Sequence, residues 1–365
     1  MNAADYIEGG DAFLEPGDTP FEGSDALSEG GDGTPERGGA ALDVSAEIVL
    51  PARDAAGERV DRFVARVLAG RGAAVSRTRV QQWLSLGAVW SDERALTAST
   101  RLAGYETIRV QPLPREADRA FEPDDVALPI VHEDEDLIVI DKPAGLVMHP
   151  APGNWRGTLL NGLLFHRPGL ASLPRAGIVH RLDKDTSGLL VVACSDRALT
   201  ALVAQLADRS MSRRYLAVVQ GAAPDAGTVD APIGRDPVSR VRMALVAPGS
   251  GRPSRTHFTT LARWQCDGRD LSLVECRLDT GRTHQIRVHM RALGHPLLGD
   301  ALYGGAMQGI ARQALHAWRL GLRHPSDGGL RHWISVPPDD LQGLVRAAGV
   351  DLAQLCRTLD ARAGT

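Results

Sequence analysis

The chain has 365 residues, 43% of them hydrophobic, with a formal net charge of −4. That length allows about two domains, and the apolar content excludes a chain disordered throughout. The longest clean apolar run, Leu189 to Cys194, is far too short to span a bilayer, and no basic start followed by an apolar stretch announces a secretion signal. Four cysteines at irregular spacing, with no C-x-x-C pair, argue against a zinc knuckle or disulfide scaffold and point to a reducing cytoplasm.

The charge is unevenly distributed. Residues 1–45 carry eleven acids against the single Arg37, so removing them turns 41 − 45 into 40 − 34, or +6. The body is therefore moderately basic and compatible with phosphate contacts. Residues 1–46, rich in Gly, Asp, Glu and Pro without apolar periodicity, read as a disordered acidic tail whose simplest role is solubility.

Residues 47–111 read as a small α+β module. Val60, Phe63, Val64, Val67 and Leu68 make one apolar helical face. Ser76 announces a second helix that carries Val80, Trp83 and Leu84 inward and stops at Gly87. Short strands are expected at 88–90 and 107–110, and Arg77, Arg79, Gln81 and Gln82 face outward. This Ser-Arg…Val-Gln…Gly-x-Val pattern resembles the S4 RNA-binding domain. Residues 112–127, with Pro112, Pro114 and Pro123, read as a linker.

The main body, 128–348, starts with Leu128–Ile130 and a buried strand at Leu137–Ile140, closing on the turn Asp141-Lys142-Pro143-Ala144-Gly145. Further strands are expected at 189–194, 214–219, 255–261, 271–278 and 315–322, and helices at 157–165, 197–207 and 283–293. Several strands follow one another without a helix between them. The expected class is α+β, with a mixed, largely antiparallel sheet rather than a doubly wound parallel one. Residues 349–365 read as a C-terminal tail.

Three segments carry chemistry. Gly177-Ile178-Val179-His180-Arg181-Leu182-Asp183-Lys184-Asp185-Thr186-Ser187-Gly188 puts charges between apolar strands, where they are costly unless paired or used. Asp185, Thr186 and Ser187 are accounted for as a capped turn; His-Arg-x-Asp is not. A kinase catalytic loop is excluded because the Gly-rich phosphate loop, strand lysine and Asp-Phe-Gly are missing. In Thr280–Arg291, Thr283 can cap a helix that Gly294 ends. Ile286, Met290 and Leu293 then share the inward face, and His284, Arg287 and Arg291 another. His284 and His289 lie roughly 140° apart around that helix, which excludes joint metal chelation. Cations in a first helical turn oppose the dipole and point to a carboxylate or phosphate partner. The third segment, Ser212-Arg213-Arg214-Tyr215, is a strand with one aromatic beside two cations.

Taken in order, these pieces resemble the RNA pseudouridine synthases that carry a G-x-V-H-R-L-D motif, most of all the D type that acts on large-subunit ribosomal RNA. The resemblance runs over about 47–345. It includes Asp141–Val147, His149-Pro150, Gly177–Gly188, Arg214-Tyr215, Asp230–Arg235, Thr280–His289, His295–Asp300 and Leu315–Ala317. It implies that uridine becomes pseudouridine with Asp183 as the catalytic aspartate and Arg287 as its ionic partner. Tyr215 would stack on the flipped base, and Arg181 would fill the space the base leaves. It further implies no cofactor, no metal and no second substrate, since the reaction conserves every atom of the nucleotide. The expected partner is RNA, either large-subunit rRNA or a pre-ribosomal particle, contacted through Lys142, Arg282, His284, Arg291, Arg77, Arg79 and Gln82. A cytoplasmic monomer without membrane attachment is expected. Two rivals stand beside this reading: a nucleoside hydrolase using Asp183 and Asp185, and a non-catalytic S4-type assembly factor.

Overall fold

A computed structural model describes residues 46–73, 75–114, 119–239, 241–307 and 309–363. The acidic tail expected over 1–46 lies, apart from residue 46, outside them. The chain divides into two compact units, with the break between Arg119 and Ala120.

The first unit is a three-stranded antiparallel sheet and two helices. It contains β1 (Ile48–Pro51), α1 (Val60–Gly70), α2 (Arg77–Ser85), β2 (Val89–Ser91) and β3 (Thr107–Val110), with sheet order β1-β3-β2. The i, i+3, i+4 spacing on α1 buries Val60, Phe63, Val64 and Leu68 against Val80, Trp83 and Leu84 of α2. The Ser76 hydroxyl accepts the Arg79 N–H at 3.3 Å, satisfying one of the open donors at the start of α2. Buried Asp61 gathers Arg59, Arg77 and Gln81. Burial opposes its ionisation, but these donors outweigh it and hold the carboxyl down at about 2.

The second unit is built on a nine-stranded mixed sheet. Its elements are β4 (Ile130–Glu133), β5 (Leu137–Lys142), α3 (Leu159–His166), β6 (Ser187–Ala193), α4 (Asp196–Ala207), β7 (Ser212–Gln220), β8 (Ala226–Asp230), β9 (Ile233–Arg235), β10 (Met243–Leu245), β11 (Arg255–Cys266), β12 (Arg269–Leu278), α5 (Gln285–Ala292), β13 (Leu315–Arg323), β14 (Leu330–Ile334), α6 (Asp339–Arg346) and α7 (Leu352–Ala363). The order is β4-β5-β6-β13-β7-β12-β11-β8, with β14 on β13 and a separate β9–β10 hairpin. Only β6–β13 pairs parallel, so the expected α+β class with a largely antiparallel sheet is what the chain forms.

Alternation explains the continuous apolar runs of β5 and β6. Ile138, Ile140, Leu190 and Val192 face one core with Leu159, Leu160 and Leu163 of α3. Leu137, Val139, Leu189 and Val191 face another with Ala198 and Leu202 of α4. A third core joins Leu216, Val218 and Trp318 to Leu341 and Val345 of α6 and to Leu352 and Cys356 of α7. The segment read as a C-terminal tail thus contains a helix that closes this core. Gly188 lies where β6 and β13 meet: at φ 113° it takes a conformation side chains avoid, and a Cβ there would sit 2.3 Å from the Ala317 carbonyl oxygen. Part of the segment read as a linker is pinned as well, because Asn161 donates to the Ala120 and Glu122 carbonyls, each at 2.8 Å.

Candidate active site

The His180–Asp183 segment enters the second unit between the 3₁₀ turn Pro174–Gly177 and β6. Its alternate side chains anchor it. Ile178 and Leu182 join the core under α3, Val179 joins the core under α4, and buried His180 accepts the Val191 N–H on Nε2 at 3.1 Å. Burial, with Arg213 nearby, drives the His180 imidazole down to about 3, so it is a neutral anchor. The chain then turns, with the Thr186 N–H returning to the Asp183 carbonyl at 3.0 Å and Arg312 holding the Asp185 carbonyl at 3.0 Å. Only 13% of the Asp183 side chain stays exposed.

Arg287, on α5, donates from Nη1 to Asp183 Oδ2 at 3.0 Å. Its other edge is taken by Asp300, with Nε to Oδ2 at 2.7 Å and Nη2 to Oδ1 at 2.9 Å. This is a fork geometry that fixes the guanidinium plane. Burial disfavours the charge on Arg287, but the two carboxylates overcome it and raise its pKa. Burial likewise opposes ionisation of Asp183, yet His284, Arg287 and Arg181 outweigh it and hold the carboxyl at about 2. At neutral pH the charge doing this is on the arginines, because burial drives His284 down to about 4. A buried, ionised, oriented carboxylate is what a nucleophile requires.

Tyr215, on β7, is 5% exposed, and burial raises its phenol pKa, with the Asp183 charge adding to the rise. Arg181 is half-buried, near enough to depress both Asp183 and His149. The four residues expected at the centre, Asp183, Arg287, Tyr215 and Arg181, therefore lie together.

The expected RNA contacts divide. Lys142 cannot reach a phosphate. It is fully buried, and its Nζ donates to the carbonyls of Pro143, Leu146 and Lys184 at 2.8, 3.0 and 2.9 Å, tying the 143–146 turn to the motif loop. Burial pushes it down to about 7 against the pull of Asp183 and Asp185, while three carbonyls match the three N–H bonds of the ammonium form. His284 is not on an outer face with Arg291. It caps α5 in a left-handed conformation (φ 55°), and its Nδ1 bonds the Tyr303 hydroxyl at 2.8 Å. Thr283 is therefore buried one residue before the cap rather than being the cap. Leu293, placed inward by periodicity, is 40% exposed because α5 ends at Ala292 and the chain turns away. Arg291 is exposed, and Arg282, half-buried, reaches the Pro253 carbonyl at 3.4 Å. In the first unit, Arg77 pairs with Asp61 at 3.1 Å, Arg79 bonds the Leu113 carbonyl at 2.7 Å, and Gln82 is exposed.

Two site residues had no role assigned from sequence: Asp300 and Tyr303. Tyr303 presents its ring to Arg287 at 5.0 Å and to Arg291 at 5.9 Å, and its hydroxyl accepts the Met243 N–H at 2.8 Å. The one local signal for Asp300 was its place directly after a Gly in a turn-rich stretch. Among the described residues, one further cluster of metal-ligand type, Asp134, Asp136 and His324, lies elsewhere, with Asp136 held by Arg197 at 2.7 Å.

The profile of the family described as RNA pseudouridylate synthase matches residues 136–292. The chain is 46% identical over 301 residues to the ribosomal large subunit pseudouridine synthase D of Nitrosomonas europaea, covering 80% of this chain and 85% of that protein. It is 43% identical over 327 residues to the protein of the same name in Xanthomonas campestris, covering 86% and 96%. Among solved structures, human RNA pseudouridylate synthase domain containing 1 superposes with a TM-score of 0.50 at 28% identity, over 65% of this chain and 96% of that one.

Proposed function

Because the chain belongs to the RNA pseudouridylate synthase family and so isomerises uridine in RNA, we propose that Asp183 is its nucleophile and large-subunit ribosomal RNA its substrate. The observation that carries the site assignment is the Asp183–Arg287–Asp300 arrangement, in which one guanidinium is shared by two buried carboxylates.

In this reading the target uridine leaves its stack, because a base inside folded RNA is out of reach. Tyr215 is the stacking platform, and Arg181 fills the vacated space. The ionised Asp183 attacks at ribose C1′ or on the uracil ring while the C1′–N1 bond breaks. The base turns, C5 bonds to C1′, the bond to Asp183 is released to regenerate the carboxylate, the C5 proton leaves and N1 gains one; the nucleotide keeps its composition. Arg287 keeps Asp183 ionised and aimed, and Asp300 keeps Arg287 in plane. Neither metal nor cofactor enters this scheme.

Arg282 and Arg291 are read as phosphate contacts, and His284 as a neutral wall of the pocket. The first unit, 47–111, is read as an S4-like RNA-binding module presenting Arg77, Arg79 and Gln82, with the catalytic domain beginning near 128. The protein is read as cytoplasmic and monomeric; no helix among the described residues is long and apolar enough to cross a membrane. The substrate reading is supported by the Nitrosomonas and Xanthomonas relatives, both named as large-subunit enzymes. A non-catalytic assembly factor would have no use for a buried Asp–Arg–Asp arrangement, whose desolvation is costly. The deciding experiment maps pseudouridines in rRNA from a strain lacking the gene and from one carrying Asp183→Asn. Large-subunit sites should vanish in both, and their persistence in the Asn strain would remove Asp183 from the mechanism.

A further inference from the structure

Arg213 is a buried cation that the scheme above leaves without a task. It precedes Tyr215 by two on β7, so both side chains point to the same sheet face about 7 Å apart. Only 6% of Arg213 is exposed, and its Nε is sealed with no hydrogen-bond partner among the described residues.

The carboxylate whose charge reaches it, Asp279, is engaged elsewhere, held by His257 at 2.9 Å with Arg255 at 3.9 Å. The like charge of Arg282 disfavours its ionised form further. Gly281, next to Arg282, leaves the room it occupies: a Cβ on Gly281 would stand 2.5 Å from Arg213 Nη1. A buried guanidinium with no directly bonded anion is costly, and proteins keep such groups where a ligand supplies the counter-charge.

We propose that Arg213, held beneath Gly281 beside Tyr215, binds a backbone phosphate at the target uridine and completes its ion pair only when RNA is in place. The anion a flipped uridine brings is its phosphodiester, and the spacing from Tyr215 to Arg213 is on the scale of base to phosphate within one nucleotide. This rests on the reading that the uridine lies against Asp183 and Tyr215.

The test uses the full-length protein and an RNA stem-loop in which it forms pseudouridine. That stem-loop is made either with normal linkages or with a neutral methylphosphonate 5′ or 3′ of the target. Arg213→Met should lower kcat/KM on normal RNA by roughly 10- to 100-fold, the loss expected for one charge-assisted contact. One of the two methylphosphonates should lower the wild type by a similar factor, yet cost Arg213→Met no more than about two-fold further. Arg213→Lys should recover most of the activity. Gly281→Ala, which pushes the guanidinium aside without removing it, should resemble Arg213→Met. The RNA-free Arg213→Met protein should melt no lower than wild type, since it loses an uncompensated buried charge. Losses that simply multiply at both linkages, or a clear drop in melting temperature, overturn the phosphate contact. Full activity in Asp183→Asn would instead overturn the site reading beneath it, so the two failures are distinguishable.

Discussion

Replacing Asp300 by Asn removes the charge that holds the far edge of Arg287 while keeping the side chain's shape. Two contacts of 2.7 and 2.9 Å are affected, between groups whose side chains are 1% and 8% exposed. Removing one partner of a buried ion pair costs about 3–5 kcal/mol when the other charge is abandoned. Here Arg287 keeps Asp183, so the cost falls to the lower side, about 2–3 kcal/mol. For a unit of this size that lowers the melting temperature by roughly 5–10 °C. The catalytic consequence is separate. With its fork undone, Arg287 no longer fixes the direction of Asp183, and kcat should fall about 10- to 100-fold with KM nearly unchanged. Asp183 keeps its guanidinium and loses a neighbouring negative charge, so the acid limb of the pH profile should not move upward. Asp300→Glu should recover part of kcat. Steady-state kinetics on an RNA stem-loop, with melting curves of the same preparations, give all four readings. Wild-type kcat in a protein that melts several degrees lower would refute a positioning role and leave Asp300 purely structural.

Asp183→Asn should abolish isomerisation while RNA affinity, read by filter binding, stays within a few-fold of wild type. A matching loss of affinity would mean that the carboxylate organises the RNA site rather than the chemistry. Lys142→Met should lower the urea midpoint and kcat together and leave the salt dependence of RNA binding unchanged, because Nζ meets carbonyls and not phosphate. A flatter salt slope would restore it as a phosphate contact. Stability should decline as pH falls from about 6.5 towards 4. Over that range the unfolded chain takes up protons that buried His149, His180, His284 and His316, held at about 3 to 4, refuse in the folded state. Asp183, held at about 2, adds its own loss only below about 4. Urea midpoints that stay flat between pH 7 and 5 would contradict this.

The sequence by itself determined the elements whose periodicity is local. The faces of α1 and α2, the buried runs of β5 and β6, and the long strands β7, β12 and β13 follow from alternation or from i, i+3, i+4 spacing, because a strand or helix sorts its own side chains. Short strands such as β9 and β10 carry too few residues for that signal, whereas α7 does carry it, in Leu352, Leu355, Cys356 and Leu359, although its segment reads as a tail from its place at the end of the chain. At the site, the clustering of cations at the start of α5 already called for an acidic partner, and Asp183 was legible from its charged loop between apolar strands. What only the tertiary structure decided is which charges meet. Asp300 lies 13 residues after Arg287 and 117 after Asp183, and nothing local links them until the loop after α5 folds back. The same holds for Lys142: its position in a charged turn resembles a phosphate contact, and burial against three carbonyls makes it a brace. Charge is written along the chain, but its cost and its use depend on solvent exposure and on partners brought from far away.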